Sequence, residues 1–391
     1  MRLGVDGSNL RLGGGITHLV ELLRVAEPGR FGFSEVIVWG RKALLARIEE
    51  RPWLVKAEQR GLERGALYQA YWQRFRLSTL ARKAHCDVLF APGGSYAGSF
   101  RPIVTMSRSM LPFEWRELRR YGWSKYTLKW ILLRLIQSRS FRGADGVIFL
   151  TAYGRDAVLR LLGALRGKAV IIAHGVNPRF ILPPRPQRAA ADFSVAQPCR
   201  LLYVSTTEFY KHQWNVAEAV AQLRAEGLAV VLDLIGPPGA AQHRLNATLR
   251  RVDPSSNFIR ARGEIAYEQL HRLYAVADIG VFASSCENMP NILLEGMASG
   301  LPMACSGLGP MPEVLGQGGV YFNPENIHEI AAAIRSLMAS ATLRGEKAAA
   351  GFARAQQYSW KRCADETFAF LGQVTKSRAP QTSGFREAGA H

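Results

Sequence analysis

Ser285-Cys286-Glu287-Asn288-Met289-Pro290-Asn291-Ile292-Leu293-Leu294-Glu295-Gly296-Met297-Ala298-Ser299-Gly300-Leu301-Pro302 is the stretch on which the reading of this chain turns. It follows an apolar run of strand length at 279–283 and opens a short helix that Gly300 stops just before a proline. A loop at the carboxyl end of a parallel strand, feeding a helix N-terminus, is where open α/β sheets hold nucleotides. Backbone N–H groups left free there favour a phosphate. Glu287 lies in the loop and Glu295 one to two turns into the helix, so both can face one pocket at different depths. A carboxylate suits the vicinal hydroxyls of a sugar. Two carboxylates alone would read as unrelated surface acids, so the argument must come from what surrounds them.

Working outward, strand-length apolar runs alternate with longer amphipathic stretches, the pattern of repeated βα units with parallel sheets. The first half offers strands at 3–6, 35–39, 87–90, 102–106, 146–150 and 170–173. A Pro-rich, weakly apolar stretch follows, containing Pro183, Pro184, Pro186 and Pro198. The alternation then restarts at 200–205, 229–235, 258–261, 279–283, 302–305 and 319–322, with helices expected at 212–226 and 267–276. A length of 391 residues accommodates two such cores. The division expected is a basic N-terminal domain at 1–182, a linker at 183–199, a C-terminal domain at 200–375 whose last helix returns to the first domain, and a disordered tail at 376–391.

The decisive stretch resembles family 4 of the retaining glycosyltransferases. Their signature is a Glu, seven residues, a second Glu, then Ala-Met-Ala-x-Gly-x-Pro. Here Gly296 replaces the first Ala. Ala277 to Ser285 before it, and Gly309-Pro310-Met311-Pro312-Glu313-Val314 with Phe322-Asn323-Pro324 after it, carry the same likeness. The resemblance implies the GT-B fold, two Rossmann-like domains facing across a cleft, and a nucleotide-sugar donor held by the second half. It implies that Glu295 holds the donor ribose and that Glu287 approaches the sugar near its anomeric centre. Asn288, Met289, Pro290, Asn291 and Ile292 would line sugar and pyrophosphate, and Gly236, Gly263 and Ile265 would lie near the base. The family's phosphate clamp pairs an Arg just after a strand with a Lys about five residues on; Lys211 matches the lysine, but Thr206 stands in place of the arginine. A cation there would neutralise charge on the leaving phosphate, which makes Lys211 a catalytic candidate with Glu287.

In the first half, Gly13-Gly14-Gly15 lies between the first strand and a helix, and glycines permit close approach of backbone to phosphate. By the same resemblance Gly14 and Gly15 face the donor phosphates. His174-Gly175-Val176-Asn177-Pro178-Arg179-Phe180 resembles the family's Asn-Gly-Val-Asp…Phe segment, and His174 reads as a hinge residue rather than a catalyst. The family's His that contacts a sugar C6 hydroxyl is missing from Thr105-Met106-Ser107-Arg108-Ser109. Ser107 and Arg108 stand there instead, and Arg108 is either the cation missing at Thr206 or an ordinary surface arginine. A site without that histidine is expected to accept a 6-deoxy donor at least as well as its 6-hydroxy counterpart.

Charge divides the chain sharply. Residues 1–200 hold 33 Lys and Arg against 14 Asp and Glu, and the remainder holds 17 of each, so the whole net charge of +19 lies in the first half. An anionic surface as partner follows from that asymmetry. Basic residues stand beside Tyr68, Tyr71, Trp72 and Phe75, and again beside Trp115, Trp123, Tyr126 and Trp130, a pairing that suits a membrane interface.

No apolar run approaches the length of a bilayer span, and Met1 to Asn9 reads as strand and loop rather than a signal. The expected place is the cytoplasm, at the inner face of the cytoplasmic membrane. Five scattered cysteines predict reduced thiols. No Asp-x-Asp closes a strand, so neither metal nor cofactor is expected. The function expected is transfer of a hexose or 6-deoxyhexose, with GDP-mannose or GDP-rhamnose favoured by Tyr210-Lys211-His212-Gln213-Trp214-Asn215, to a lipid-linked glycan of an O-antigen-type polysaccharide. A GT-B enzyme of other chemistry, such as a sugar-nucleotide epimerase, is the alternative. A basic nucleic-acid-binding protein is the other, weakened by the lack of any recognition module.

Overall fold

The computed structural model describes residues 1–10 and 14–377. Gly13 of the glycine run, and nearly all of the expected tail, lie outside the described residues. Thirteen strands form two sheets among the described residues. The first contains β1 (Arg2–Asp6), β2 (Glu35–Gly40), β3 (Leu54–Glu58), β4 (Val88–Ala91), β5 (Ile103–Met106), β6 (Gly146–Phe149) and β7 (Lys168–Ile171), in the order β3-β2-β1-β4-β5-β6-β7. The second contains β8 (Cys199–Val204), β9 (Val230–Ile235), β10 (Ile259–Gly263), β11 (Ile279–Phe282), β12 (Met303–Ser306) and β13 (Gly319–Phe322), in the order β10-β9-β8-β11-β12-β13. Every strand pairing is parallel. These are two Rossmann-like units, the architecture the resemblance implies.

Parallel sheets are covered on both faces, so their strands are apolar at every position while alternate residues serve different cores. The first sheet shows this directly. Val36, Val38, Val88, Phe90, Val104 and Ile148 join one buried cluster, and Ile37, Trp39, Leu89, Ala91, Ile103 and Val147 join the other. One strand had no counterpart in the sequence reading. β3 is an edge strand, Leu54-Val55-Lys56-Ala57-Glu58, of which only Leu54 is buried. Its charged residues satisfy an exposed edge and erase the apolar run by which inner strands are recognised.

The Pro-rich stretch is pinned to the second unit. Asp278 receives the Arg185 and Arg188 guanidinium groups, each at 3.2 Å, and the Arg200 amide at 2.8 Å. The buried Arg344 side chain donates to the carbonyls of Leu337, Met338 and Arg188. Gly300, at φ +63°, ends its helix where the chain of Leu182 and Pro184 passes so closely that a Cβ would lie 2.7 Å from the Pro184 nitrogen. All five cysteines are free and buried.

The last helix, Trp360–Lys376, packs on the first unit. Its Phe368 ring lies 6.4 Å from Phe31 and 5.8 Å from Phe33, and Phe370 fills the space a side chain at Gly146 would need. Val176 forms a bridge with Ser359 beside it. Phe368 is fully buried. Phe368→Ala is therefore expected to cost about 3–5 kcal/mol, read as a lower urea midpoint; an unchanged midpoint would show that the helix does not hold the first unit.

Candidate active site

Each sheet has one point where the strand order reverses, between β1 and β4 in the first and between β8 and β11 in the second. Crevices form there because the flanking loops leave in opposite directions. Lys211 follows β8 and Glu287 follows β11, so the second switch point brings them together. Lys211 Nζ donates to Glu287, which also accepts the Ser284 hydroxyl at 2.7 Å. Lys211 is only 7% exposed. Its ammonium lies 5.1 Å from the centre of the Phe282 ring.

Local structure aims the lysine. Phe209–Lys211 is a single 3-10 turn ended by His212 in the left-handed conformation, φ +50°. Such a conformation costs a non-glycine residue roughly 1–2 kcal/mol, and the surroundings hold it. The Tyr203 hydroxyl donates to the Lys211 carbonyl at 2.5 Å, His212 Nε2 lies 3.0 Å from the Ser285 hydroxyl, and the Ser285 amide donates to the Tyr210 carbonyl at 2.8 Å. Turn and loop are thus stapled together.

Glu295 sits in the helix Asn291–Ala298, buried. Tyr267 donates to one carboxyl oxygen at 3.1 Å and Tyr274 to the other at 3.4 Å. Burial raises its pKa to about 7 against the pull of these hydroxyls and of Arg179. Each oxygen keeps acceptor capacity for a diol. Sequence reasoning missed the two tyrosines, although seven residues is two helical turns and puts both on one face. Phe180 braces them, at 5.4 Å from Tyr267 and 5.7 Å from Tyr274.

Along the same edge, a cavity of about 370 Å³ opens at the ends of β8, β9 and β10, lined by Ser205, Gln213, Gly236, Pro238, Ala261 and Gly263. Gly236 and Gly263 therefore meet where the resemblance places a base. Ile265 packs against the buried cluster and does not line this cavity. Ile265 follows Gly263 where the chain has left the sheet. Thr206 is exposed. Asn288, Met289 and Pro290 are buried, and Ile292 is half-buried.

Across the crevice, Gly14 begins the helix Gly14–Val25, and a Cβ on it would lie 3.6 Å from Asn291 Nδ2. Arg108 lies beneath Gly15 so closely that any side chain there would overlap its guanidinium, at 2.1 Å. Burial lowers the Arg108 pKa to about 10, which leaves it charged at neutral pH. Its Nε is buried without a hydrogen-bond partner, and it makes no ion pair among the described residues. His174 Nδ1 lies 3.0 Å from Asn291 Oδ1, and the His174 ring stacks on Trp360 and lies 4.8 Å from His18. Burial, with Arg108 adding to it, pushes the pKa of His174 down to about 4 and that of His18 well down too, so both rings are neutral.

Polar contacts close the crevice along its rim. Asn288 Nδ2 donates to the Ser107 carbonyl at 2.9 Å, and the Thr151 hydroxyl to the Asn288 carbonyl at 3.1 Å. Ser285 donates to Glu117 at 2.6 Å, and Tyr121 to Glu208 at 2.8 Å. Glu313 accepts the amides of Ala152 and Tyr153, at the N-terminus of the helix Ala152–Leu162. Ser107 thus joins the two halves through its backbone. Among the described residues, no cluster of three or more His, Cys, Asp and Glu side chains could hold a metal ion.

Residues 198–340 match the family described as glycosyl transferases group 1. O-antigen chain mannosyltransferase B of Escherichia coli is 27% identical over 235 residues, which are 58% of this chain and 60% of that protein. Glycogen synthase of Mycobacterium tuberculosis is 27% identical over 270 residues, 67% of this chain and 62% of that protein. The chain thus matches about three fifths of the length of these relatives. Among solved structures, sucrose-phosphate synthase of Thermosynechococcus elongatus superposes with a TM-score of 0.75 at 17% identity, covering 96% of this chain and all of that one. That likeness establishes the GT-B fold.

The raised pKa of Glu295 has a consequence for stability. A group whose folded pKa lies above its ordinary value of 4.5 contributes fully below that value, and the contribution is lost as pH rises through 7. Relative to Glu295→Gln, the ligand-free protein should lose about 2–3 kcal/mol between about pH 5 and pH 8. Parallel pH profiles of the two proteins in denaturant melts would contradict the assignment.

Proposed function

We propose that this chain, whose residues 198–340 are a group 1 glycosyltransferase domain, moves a hexose or 6-deoxyhexose from a nucleotide-sugar to a lipid-linked glycan with retention at the anomeric carbon. The observation that carries this reading is one arrangement. Lys211, Glu287 and Glu295 line one sheet edge, and Gly14, Gly15 and the unpaired Arg108 face them across the crevice. The base enters the cavity at Gly236 and Gly263, the ribose diol meets Glu295, and the pyrophosphate lies between Lys211 and the Gly14–Gly15 backbone. Glu287 holds Lys211 in place and approaches the sugar, with Asn288 to Ile292 forming its floor.

The leaving diphosphate gains negative charge as the glycosidic bond breaks, and fixed cations in a crevice closed to water are the strongest stabilisers of such charge. Arg108 supplies from the first domain the cation that Thr206 does not supply from the second. Its buried, unpaired Nε supports this, since a buried charge without a counterion is costly until an anion arrives. The likeness to an O-antigen chain mannosyltransferase supports a mannosyl donor and an O-antigen-type product; the GDP-linked mannose or rhamnose donor and the lipid-linked acceptor at the inner membrane face are part of this proposal. No helix among the described residues is long and apolar enough to cross a membrane, and contact with the bilayer is proposed as peripheral. The reaction is proposed to proceed without metal or cofactor.

Two measurements test this. Glu295→Ala should weaken nucleotide-sugar binding by about 1.5–3 kcal/mol in calorimetry. In the unaltered protein, affinity should fall about tenfold from about pH 8 to pH 6, because protonation near pH 7 removes an acceptor. His174 and His212, both held near 4, do not titrate in that window. An unchanged affinity in Glu295→Ala would remove the diol role.

The second measurement concerns the split clamp. Arg108→Ala should lower turnover about a hundredfold, and adding Thr206→Arg should restore a large part of it. Turnover left intact by Arg108→Ala would return Arg108 to the status of a packing residue.

A further inference from the structure

The helix Lys125–Gly143 is inside out. Its buried side chains are Thr127, Gln137, Ser138, Ser140 and Phe141, four of the five polar. Leu128, Leu132, Leu135 and Ile136 face solvent, exposed by 69, 55, 64 and 41%. Their spacing of i, i+4, i+7 and i+8 is that of a single helical face. The polar side has a use, because it docks on loop backbone that needs partners: Ser140 accepts the Tyr96 amide at 2.9 Å and donates to the Tyr96 carbonyl at 3.2 Å. The apolar side has none among the described residues.

A second helical run repeats the pattern. Leu67, Tyr71 and Phe75 are exposed by 90, 48 and 59%, four residues apart, along the run that begins at Ala66–Tyr71 and passes through the π-helical turn Trp72–Arg76. Both runs reach one cavity of about 480 Å³, which Arg74 enters from one side and Ile136 and Arg139 from the other, with Arg101 and Ser99 also lining it. Arg101 shares Asp145 at 3.6 Å. Arg74 and Arg139 make no ion pair among the described residues.

We propose that this face of the first domain docks on a bilayer and that the cavity between Arg74, Arg101 and Arg139 takes the phosphate headgroup of an anionic phospholipid. The proposal rests on the preceding reading only in giving the acceptor its location. Outward leucines beside unpaired arginines match the two layers of such a surface, acyl chain below and phosphate above. A second copy of the chain fits poorly, since the same face would bring arginines against arginines in a half that carries the whole net charge of +19. A nucleic acid would leave the aliphatic stripe without a partner.

The test is flotation of the full chain with phosphatidylcholine vesicles, with and without about one third phosphatidylglycerol. Binding is expected only to the anionic vesicles, and to weaken by about tenfold or more in Leu132→Glu/Leu135→Glu and in Arg74→Ala/Arg139→Ala. Arg250→Ala/Arg272→Ala removes the same charge from exposed positions of the second domain and is expected to bind as the unaltered protein does. Equal loss in that control would reduce the site to net charge and overturn it, as would full binding by the Arg74/Arg139 variant. So would a lipid-free dimer that Leu132→Glu/Leu135→Glu dissolves. Competition by millimolar inorganic phosphate without lipid would assign the cavity to a free anion instead. Calorimetry with nucleotide-sugar in vesicle-free solution reads the donor site separately: lost vesicle binding with intact donor binding sinks this proposal alone, and the reverse sinks the donor site alone.

Discussion

A lysine and a glutamate drawn almost out of water hold each other at the point where the second sheet reverses its strand order. Neither charge is tolerable there alone, since a buried ion that loses its partner costs several kcal/mol. The pair therefore ties the loop after β11 to the turn after β8. Much nearby structure serves that tie: the left-handed His212, the Tyr203 hydroxyl on the Lys211 carbonyl, and the Ser285 amide on Tyr210. Under the proposed function, an anionic donor at Lys211 would meet a cation whose position is already set, which lowers the reorganisation a charged transition state would demand.

The opposite wall follows a different rule. There a cation is buried with no acid beside it, under a glycine that cannot be replaced without overlap. Glu287 balances Lys211 permanently, whereas nothing within the described chain balances Arg108. The two walls thus differ in charge balance, one cation paired with an acid and the other without one among the described residues.

Twelve of the strands were legible in the sequence because inner parallel strands are apolar on both faces. β3 was not, because an edge strand with Lys56 and Glu58 has no such run. Glu287, Glu295 and Lys211 were legible through a resemblance covering the second half. Tyr267, Tyr274 and Phe180 were not, because their part in the site depends on contacts between distant segments. The polar interior of Lys125–Gly143 was invisible for a related reason. The sequence reading set the basic and aromatic residues of this stretch at a membrane interface and made no use of its leucines, because only the position of the Tyr96 loop decides which side of the helix faces inward.

The crevice is closed by unlike materials at its two ends. Near the hinge Phe180 lies between Tyr267 and Tyr274, while the far rim is held by carboxylates, hydroxyls, amides and the Glu313 oxygens on a helix end. A rotation about the hinge would part the rim, where the Tyr121 ring meets Phe209 edge to face at 5.1 Å beside the polar contacts, so it would expose apolar and polar surface together. Apolar exposure is what gives a conformational change a large heat capacity. The polar part of the exposed surface lowers the heat capacity that the apolar part raises, so opening of this molecule should carry a smaller heat-capacity change than parting an apolar interface of the same area, and it should respond to ionic strength through the charged groups at the rim.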